Sequence, residues 1–295
     1  MVKELLLGDN PFIGVSHLSQ EKAREERNEV SLVQKKVDVI EASREGGVTG
    51  FTFSTHELNL KMFKYISDNH DLLDKLNYYI LVPYAQGYVR KANVIGTAGL
   101  ATTVLNNIVR KRFKDFVAGA LTMNFKRVAS LFIVNEVEPY LKILPKTRVK
   151  AILLHEVLVD IIVAYELIDL LKEIKKDVES KLGVSFGLET RNVSHLFKLV
   201  VSSGVRVEYV MTPMNPLGYQ MASSKEVAEK AIEELASKLE SKVIAINVLA
   251  SGAVTPIEAC EYLRRFKEYI YAVTYSTSKP SRAKENALLL AKNLL

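Results

Sequence analysis

The feature that most constrains this chain is a strict alternation of short, mostly apolar β-type segments with longer helical segments. Eight such pairs follow one another along 295 residues. This alternation predicts a parallel sheet with right-handed crossovers, and eight units close most naturally into a (β/α)8 TIM barrel. A doubly wound open sheet is the alternative, because periodicity does not show closure. The predicted strands are Leu5–Gly8, Thr49–Phe53, Tyr78–Val82, Val149–Leu154, Val184–Leu188, Val207–Met211, Val243–Val248 and Tyr269–Thr274.

One connection between predicted strands is much longer than the others. About 65 residues separate strand 3 from strand 4, and Tyr84–Asn124 is predicted as an insertion between them. A loop of this length usually serves as a lid, a substrate wall or a partner surface, so it is the expected surface for a homo-oligomer. The whole chain, residues 1–295, is expected to form a single domain, because barrels of this class commonly have roughly 250 residues.

Charge and hydropathy exclude several classes of partner. The net charge is +6, but 34 acidic residues are spread among the 40 basic ones, so no nucleic-acid partner is expected. No uncharged apolar run approaches the roughly 20 residues of a membrane span, and the first residues do not resemble a signal peptide. A cytoplasmic protein with a small-molecule substrate is therefore expected. Cys260 is the only cysteine, so no internal disulfide forms.

Polar residues at the ends of the predicted strands are the candidate catalytic groups, because active sites of TIM barrels lie there. His56 and Glu57 follow strand 2, His155 follows strand 4, and Glu189 follows strand 5. A histidine in this position suits proton transfer, since its pKa lies near neutrality. The alternative is a buried histidine with a structural hydrogen bond.

Glu189 has three interpretations from sequence: a general base, a metal ligand or the counter-charge of Arg191. His155, Glu189, His56 and Asp9 could converge on a divalent metal. No HxH or HExxH spacing supports such a centre, and no metal site is predicted.

Several segments resemble the aldo-keto reductases. AILLHEV at 151–157 resembles the fourth strand of that family, which ends in its catalytic histidine, and this match assigns the role to His155. FGLETRNVSHLFKLV, VEYVMTPMNPLG, VIAINVLASG and TSKPSRAKEN resemble later strands and loops of the family in the same order, and the opening LLLGDNPFIG resembles its first strand. The resemblance spans most of the chain outside the insertion.

The resemblance implies a TIM-barrel oxidoreductase that uses NADP. It assigns the contacts with the adenosine phosphate to Thr277, Arg282 and Asn286. Asn215, Asn247 and Ser276 lie in the matching loops and complete the predicted cofactor site.

The same resemblance identifies the groups that this chain lacks. The family uses an Asp, a Tyr, a Lys and a His. Here Thr52 stands where the Asp is expected and Glu57 where the Tyr is expected, and Pro83 lies near the position expected for the Lys. Glu189 and Thr190 stand where a Ser-Asn pair holds the nicotinamide in the family.

Three functions therefore remain open at the level of sequence. The first is an oxidoreductase with altered chemistry that uses Tyr84, Tyr88, His56 or Glu57 as proton donor. The second is a non-redox lyase, isomerase or hydrolase, with or without a metal, that acts through His155 and Glu189 on a small substrate, phosphorylated or not. The third is a non-catalytic protein that binds a nucleotide or mediates assembly.

Overall fold

The computed structural model describes residues 2–14, 32–84 and 125–295. Its eight parallel strands form one closed barrel in chain order. The first strand pairs with both the second and the eighth, so the sheet has no free edge and the open-sheet alternative is excluded. The strands are β1 Glu4–Gly8, β2 Gly50–Ser54, β3 Asn77–Val82, β4 Val149–Leu154, β5 Ser185–Glu189, β6 Tyr209–Pro213, β7 Lys242–Ile246 and β8 Ile270–Tyr275.

The helices of the described residues lie between consecutive strands, and the last one follows β8, as the sequence predicts. Short helical turns also precede β3, β4 and β5 and follow β7. The helices are α1 Asn10–Ile13, α2 Val33–Glu45, α3 Glu57–Asn69, α4 Phe125–Leu141, α5 Glu156–Ala164, α6 Ile168–Asp177, α7 Val193–Ser203, α8 Lys225–Leu239, α9 Pro256–Arg264 and α10 Pro280–Leu294.

The predicted strand boundaries agree with the structure to within two residues, but one predicted helix is wrong. The apolar periodicity of Ile161–Lys181 predicts one long helix, whereas the structure has α5 and α6 with a break between them. Glu166 lies in the break with a φ of 52°, in the left-handed region. No glycine or proline marks this position, so the local sequence contains no signal for the break.

The inner face of the barrel is filled below its C-terminal end. Side chains alternate between the barrel interior and the helix layer. The interior contains Leu6, Tyr79, Leu153, Met211 and Ile244, all buried. Above this packing, the C-terminal ends of the strands surround a cavity.

Hydrogen bonds tie the opposite, N-terminal end together. The carboxylate of Glu4 accepts hydrogen bonds from the hydroxyls of Tyr79 (2.9 Å) and Tyr271 (2.8 Å) and from the amide of Asn77 (3.0 Å). These contacts join β1, β3 and β8 at the floor of the barrel.

The connection from β3 to β4 is the longest in the barrel, in agreement with the predicted insertion between strand 3 and strand 4. Most of the insertion, residues 85–124, lies outside the described residues, as do His17 and Tyr88. Among the helices that the structure describes, none combines the length and hydrophobicity needed to cross a membrane.

Candidate active site

A cavity of about 470 Å³ lies at the C-terminal ends of the strands. This is the end at which TIM-barrel enzymes have their active sites, and the volume falls within the range of small-molecule pockets. Every strand, or the residue directly after it, contributes to the wall. The contributing residues are Gly8, Thr52, Ser54, Leu81, His155, Glu189, Met211, Ile246 and Thr274.

His155 lies directly after β4 and caps the N-terminus of α5. Its Nδ1 accepts the backbone N–H of Val157 at 3.3 Å, so the proton of the neutral imidazole is on Nε2. Burial lowers the pKa of His155, which keeps the ring neutral at physiological pH. Nε2 lies 3.9 Å from Oε2 of Glu189. The side chain thus presents an N–H donor to the cavity.

Glu189 is the last residue of β5 and is buried in the cavity wall. Burial raises the pKa of its carboxyl group to about 8, and the negative charge of Glu156 adds to this effect. Two features lower this pKa again in part. The backbone N–H of Glu156 donates to Oε2 at 3.2 Å, and Arg191 supplies a positive charge. At neutral pH this carboxyl group is therefore mostly protonated and can donate a proton.

Arg191 pairs with Glu156 rather than with Glu189. Its Nε and Nη2 donate to Oε2 and Oε1 of Glu156 at 2.6 and 2.5 Å, in a bidentate arrangement. This geometry is the strong form of an arginine–carboxylate pair. The structure thus assigns the counter-charge role considered for Glu189 to Glu156, and it leaves the Glu189 carboxyl facing His155.

Asp9 is a second buried carboxyl group in the cavity wall. Its Oδ2 accepts the backbone N–H of Ser54 at 2.9 Å and the side-chain amide of Asn59 at 2.6 Å. Burial raises the pKa of Asp9 to about 6, against the effect of these hydrogen bonds and of the nearby His155. The cavity therefore contains two carboxyl groups with different raised pKa values.

The structure places His56 and Glu57 outside the residues that line the cavity. His56 caps α3, and its Nδ1 accepts the backbone N–H of Leu58 at 3.0 Å. Its ring packs edge-on against Tyr84, which does line the cavity. His56 and His155 thus have the same capping role, but of these two only His155 lines the cavity. His155 directly follows its strand, whereas His56 lies two residues after the end of β2.

No metal-binding group is present in the part of the chain that the structure describes. Within residues 2–14, 32–84 and 125–295, no three or more His, Cys, Asp or Glu side chains are arranged to hold a metal ion. The convergence on a divalent metal that the sequence left open is therefore not found among these residues.

The loop between β8 and α10 forms one side of the cavity. Ser276, Thr277, Ser278, Arg282 and Asn286 all line it. The N-terminus of α10, which begins at Pro280, lies in the same loop, and a helix N-terminus favours an anion through its backbone N–H groups. Hydroxyl, amide and guanidinium donors beside such a terminus can bind a phosphate group.

The loops after β6 and β7 contribute further residues to the cavity wall. Asn247 lines the cavity, and its Nδ2 donates to Oε1 of Gln220, another lining residue, at 2.5 Å. Both have a positive φ, of 53° and 60°, and so has Ser251 beside them (57°). Non-glycine residues in this conformation are strained, and such strain is concentrated at functional sites. Sequence analysis predicted Asn247 but not Gln220.

Asn215 has a structural position instead. Its side chain is fully buried and does not line the cavity. Its Nδ2 donates to the backbone oxygen of Tyr219 at 2.9 Å, and its Oδ1 accepts the N–H of Tyr219 at 2.8 Å. The amide thus closes the turn that carries Gln220.

Sequence analysis did not identify Thr274 or the apolar wall as parts of the site. The sequence analysis considered only polar residues that follow a strand. Thr274 lies within β8, one residue before its end, and Leu81, Met211 and Ile246 are apolar. The available signal was strand alternation, which places Thr274 on the same face as Ala272, a residue of the barrel interior.

Comparisons of sequence and of structure give different results. No protein-family model matches the chain, and no curated protein sequence matches it. Two structures of an aldo-keto reductase from Pseudomonas aeruginosa are similar to this chain, with TM-scores of 0.58 and 0.59 at 13% and 12% identity. The match covers all of this chain and 92% and 91% of the two Pseudomonas chains. A glycerol dehydrogenase from Gluconobacter oxydans has a TM-score of 0.51 at 9% identity, over 99% of this chain and 93% of its own. At such identities the likeness shows the fold alone, which is the TIM barrel that the aldo-keto reductases have.

Proposed function

We propose that this chain is an oxidoreductase that interconverts a carbonyl and an alcohol on a small substrate, with NADP as cofactor and His155 and Glu189 as the acid–base pair. The observation that carries this proposal is the position of His155 Nε2, 3.9 Å from the carboxyl group of Glu189 inside one cavity. A neutral N–H donor and a protonated carboxyl group both suit a carbonyl oxygen that gains a proton.

In the reducing direction Glu189 donates its proton to the carbonyl oxygen, while the Nε2–H of His155 donates a hydrogen bond to the same oxygen. The Glu189 carboxylate that remains is stabilised by the Glu156 N–H and by the charge of Arg191. In the oxidising direction this carboxylate accepts the hydroxyl proton. When bound, NADPH supplies the hydride for the carbonyl carbon.

The residues present fit NADP at both ends of the cavity. At the β8 end, Arg282, Asn286 and the serine and threonine hydroxyls suit the adenosine phosphate. At the end of the cavity that contains Glu189, a charged carboxylate in place of the neutral amide of the family would disfavour binding of the nicotinamide. Because burial raises the pKa of Glu189 to about 8, this group is mostly neutral at pH 7 and does not place a negative charge beside the nicotinamide.

A second function, a non-redox isomerase or lyase, is favoured by one further observation. Asp9, with a pKa of about 6, and Glu189, with a pKa of about 8, line the same cavity. Two carboxyl groups whose environments separate their pKa values are the usual arrangement for one base and one acid. In this alternative the loop after β8 binds the phosphate of the substrate itself.

Titration of NADPH into the purified protein, followed by nicotinamide fluorescence, distinguishes the two functions. We expect saturable binding that weakens at least about tenfold in Arg282→Ala, since a charge-assisted hydrogen bond contributes roughly 1.5–3 kcal/mol. The matched control is Lys292→Ala, which removes a cation from the last turn of the same helix. Absence of NADPH binding would contradict the oxidoreductase and leave the non-redox enzyme, for which inorganic phosphate is the ligand to titrate.

A further inference from the structure

Helix α5 has an apolar outer face that is exposed in the structure. Val157, Ile161 and Tyr165 on this face are 45%, 44% and 73% exposed. They are spaced four residues apart, and the N–H of Tyr165 still donates to the backbone oxygen of Ile161 at 3.0 Å, so the three side chains form one ridge along the helix. The outer face of a surface helix is normally polar, so this α5 ridge indicates a contact surface.

Exposed apolar side chains are concentrated at this helix. Eleven large apolar side chains are exposed among the described residues, and four of them, the α5 ridge and Leu167, lie between positions 157 and 167. The remaining seven are distributed over the rest of the described chain, with no two of them in the same helix. A single exposed apolar side chain is ordinary, whereas several adjoining ones usually mark an interface.

The acidic side chains of α5 are paired within the chain and leave the ridge without charge. Both carboxylate oxygens of Glu156 accept from Arg191, at 2.6 and 2.5 Å. Asp160 accepts the hydroxyl of Thr190 at 2.5 Å. All other residues of α5 are apolar. A ridge without like charges can pack against an identical ridge without electrostatic repulsion.

The α5 ridge is symmetric about Ile161, as contact between two identical helices requires. In a twofold interface, a residue that contacts a second residue of the other copy is contacted in return by the same pair. When two α5 helices pack antiparallel with Ile161 on the axis, Val157 of each copy lies opposite Tyr165 of the other, because both are four residues from Ile161. A small side chain then faces a large one at both ends of the ridge.

The charges at the two ends of the ridge are complementary in this arrangement. Glu166 directly follows Tyr165 and is exposed. At the opposite end of α5, the side chain of Arg191 keeps 36% of its surface exposed although it is paired with Glu156. In the antiparallel pair, Glu166 of each copy lies at the N-terminus of the α5 helix of the other copy, where the helix dipole and Arg191 both favour a carboxylate.

We propose that α5 is the interface of a homodimer, in which the ridge packs against the ridge of a second copy of this chain. The interface differs from the insertion at Tyr84–Asn124, which the sequence suggested for a homo-oligomer, and it does not depend on the proposed oxidoreductase activity. It lies beside the cavity, because the N–H of Val157 donates to Nδ1 of His155 at 3.3 Å. The dimer therefore holds the helix whose N-terminus His155 caps.

Sedimentation velocity of the full chain tests the interface. We expect the unmodified protein to dimerise with a Kd of about 10 µM or tighter. Ile161→Lys places two like charges on the twofold axis, and Tyr165→Ser removes the largest side chain of the ridge, so each should weaken the dimer at least about tenfold. The matched control is Leu288→Lys, since Leu288 on α10 is 51% exposed but lies outside the ridge. This control should dimerise as the unmodified protein does.

Oxidative cross-linking with diamide tests the position of the axis. Cys260 is the only cysteine and is buried, so the unmodified protein should not cross-link. Ile161→Cys places its thiol next to that of the second copy and should give a covalent dimer. Val157→Cys should not, because the two thiols are displaced by about 12 Å along the helices, at a rise of about 1.5 Å per residue. Adding Tyr165→Cys to Val157→Cys should restore the cross-link.

Four results would overturn the proposal. The first is a monomer at every concentration, which would assign the ridge to another segment of the same chain or to a different protein. The second is an unchanged dimer in Ile161→Lys, which would place the interface elsewhere, and the third is an equal loss in Leu288→Lys. The fourth is a covalent dimer in Val157→Cys but not in Ile161→Cys, and this comparison decides if the lysine variant does not fold.

Discussion

Nε2 of His155 and Oε2 of Glu189 lie 3.9 Å apart in the cavity, and burial changes the two pKa values in opposite directions. The pKa of the imidazole falls and that of the carboxyl group rises to about 8. At neutral pH the pair is therefore an uncharged imidazole beside a protonated acid, and not an ion pair. Such a pair can deliver a proton without first separating charges in a buried site.

His155→Ala should lower turnover by about 10²- to 10⁴-fold, the range that a positioned acid–base group typically contributes. The affinity for NADPH should remain unchanged, because the predicted phosphate contacts lie in the loop after β8. Steady-state kinetics together with the fluorescence titration measure both quantities. The matched control is His56→Ala, since His56 has the same helix-capping role but does not line the cavity. Equal losses of turnover in the two variants would assign the effect to helix capping.

Glu189→Gln should change the pH dependence of stability. The carboxyl pKa is 4.5 when the chain is unfolded and about 8 when it is folded, so between these pH values the folded protein binds more protons than the unfolded chain. The free energy of unfolding contributed by this group is fully present below about pH 4.5 and is lost as the pH rises through about 8. Glutamine does not titrate, so the variant should lose less stability over this window. Thermal melting at a series of pH values measures the difference, and parallel curves for the two proteins would contradict the raised pKa.

Arg191→Met should raise the pKa of Glu189 further. The charge of Arg191 lowers this pKa, and its removal also leaves the charge of Glu156 uncompensated beside Glu189. The upper limb of the pH profile of turnover should therefore move to higher pH. Adding Glu156→Gln to the variant removes the unpaired negative charge and should reverse much of the shift. A profile that moves to lower pH in Arg191→Met would show that another group controls this limb.

Gly187→Ala should destabilise the barrel more than Gly8→Ala. A Cβ atom at Gly187 would lie 2.8 Å from both Cβ and the backbone oxygen of Tyr209, which cannot move without shifting β6. The closest contact at Gly8 is the hydroxyl of Ser276, which can rotate. We expect a loss of about 1–3 kcal/mol for Gly187→Ala, as is typical of overpacked interiors. Chemical denaturation measures both variants, and an equal or larger loss for Gly8→Ala would contradict this ranking.

The sequence predicted the barrel, the strand boundaries and the residues that follow strands, because alternation and apolar runs are local patterns that burial imposes on the chain. β4 was predicted with its observed ends, and His155 and Glu189 were identified because they follow apolar strands. The loop after β8 was proposed as a phosphate site because it resembles a family motif. Both kinds of signal are present within a few consecutive residues.

The positions of individual side chains required the tertiary structure. His56 and His155 have similar sequence contexts, but the closed barrel brings only His155 into the cavity wall. Thr52 and Thr274 are far apart in the chain, but they lie on the two strands that pair with β1 and both line the cavity. The raised pKa of Glu189 depends on burial and on charges from other elements. Closure and burial are properties of the whole barrel, so they decide which of the predicted polar residues can act together.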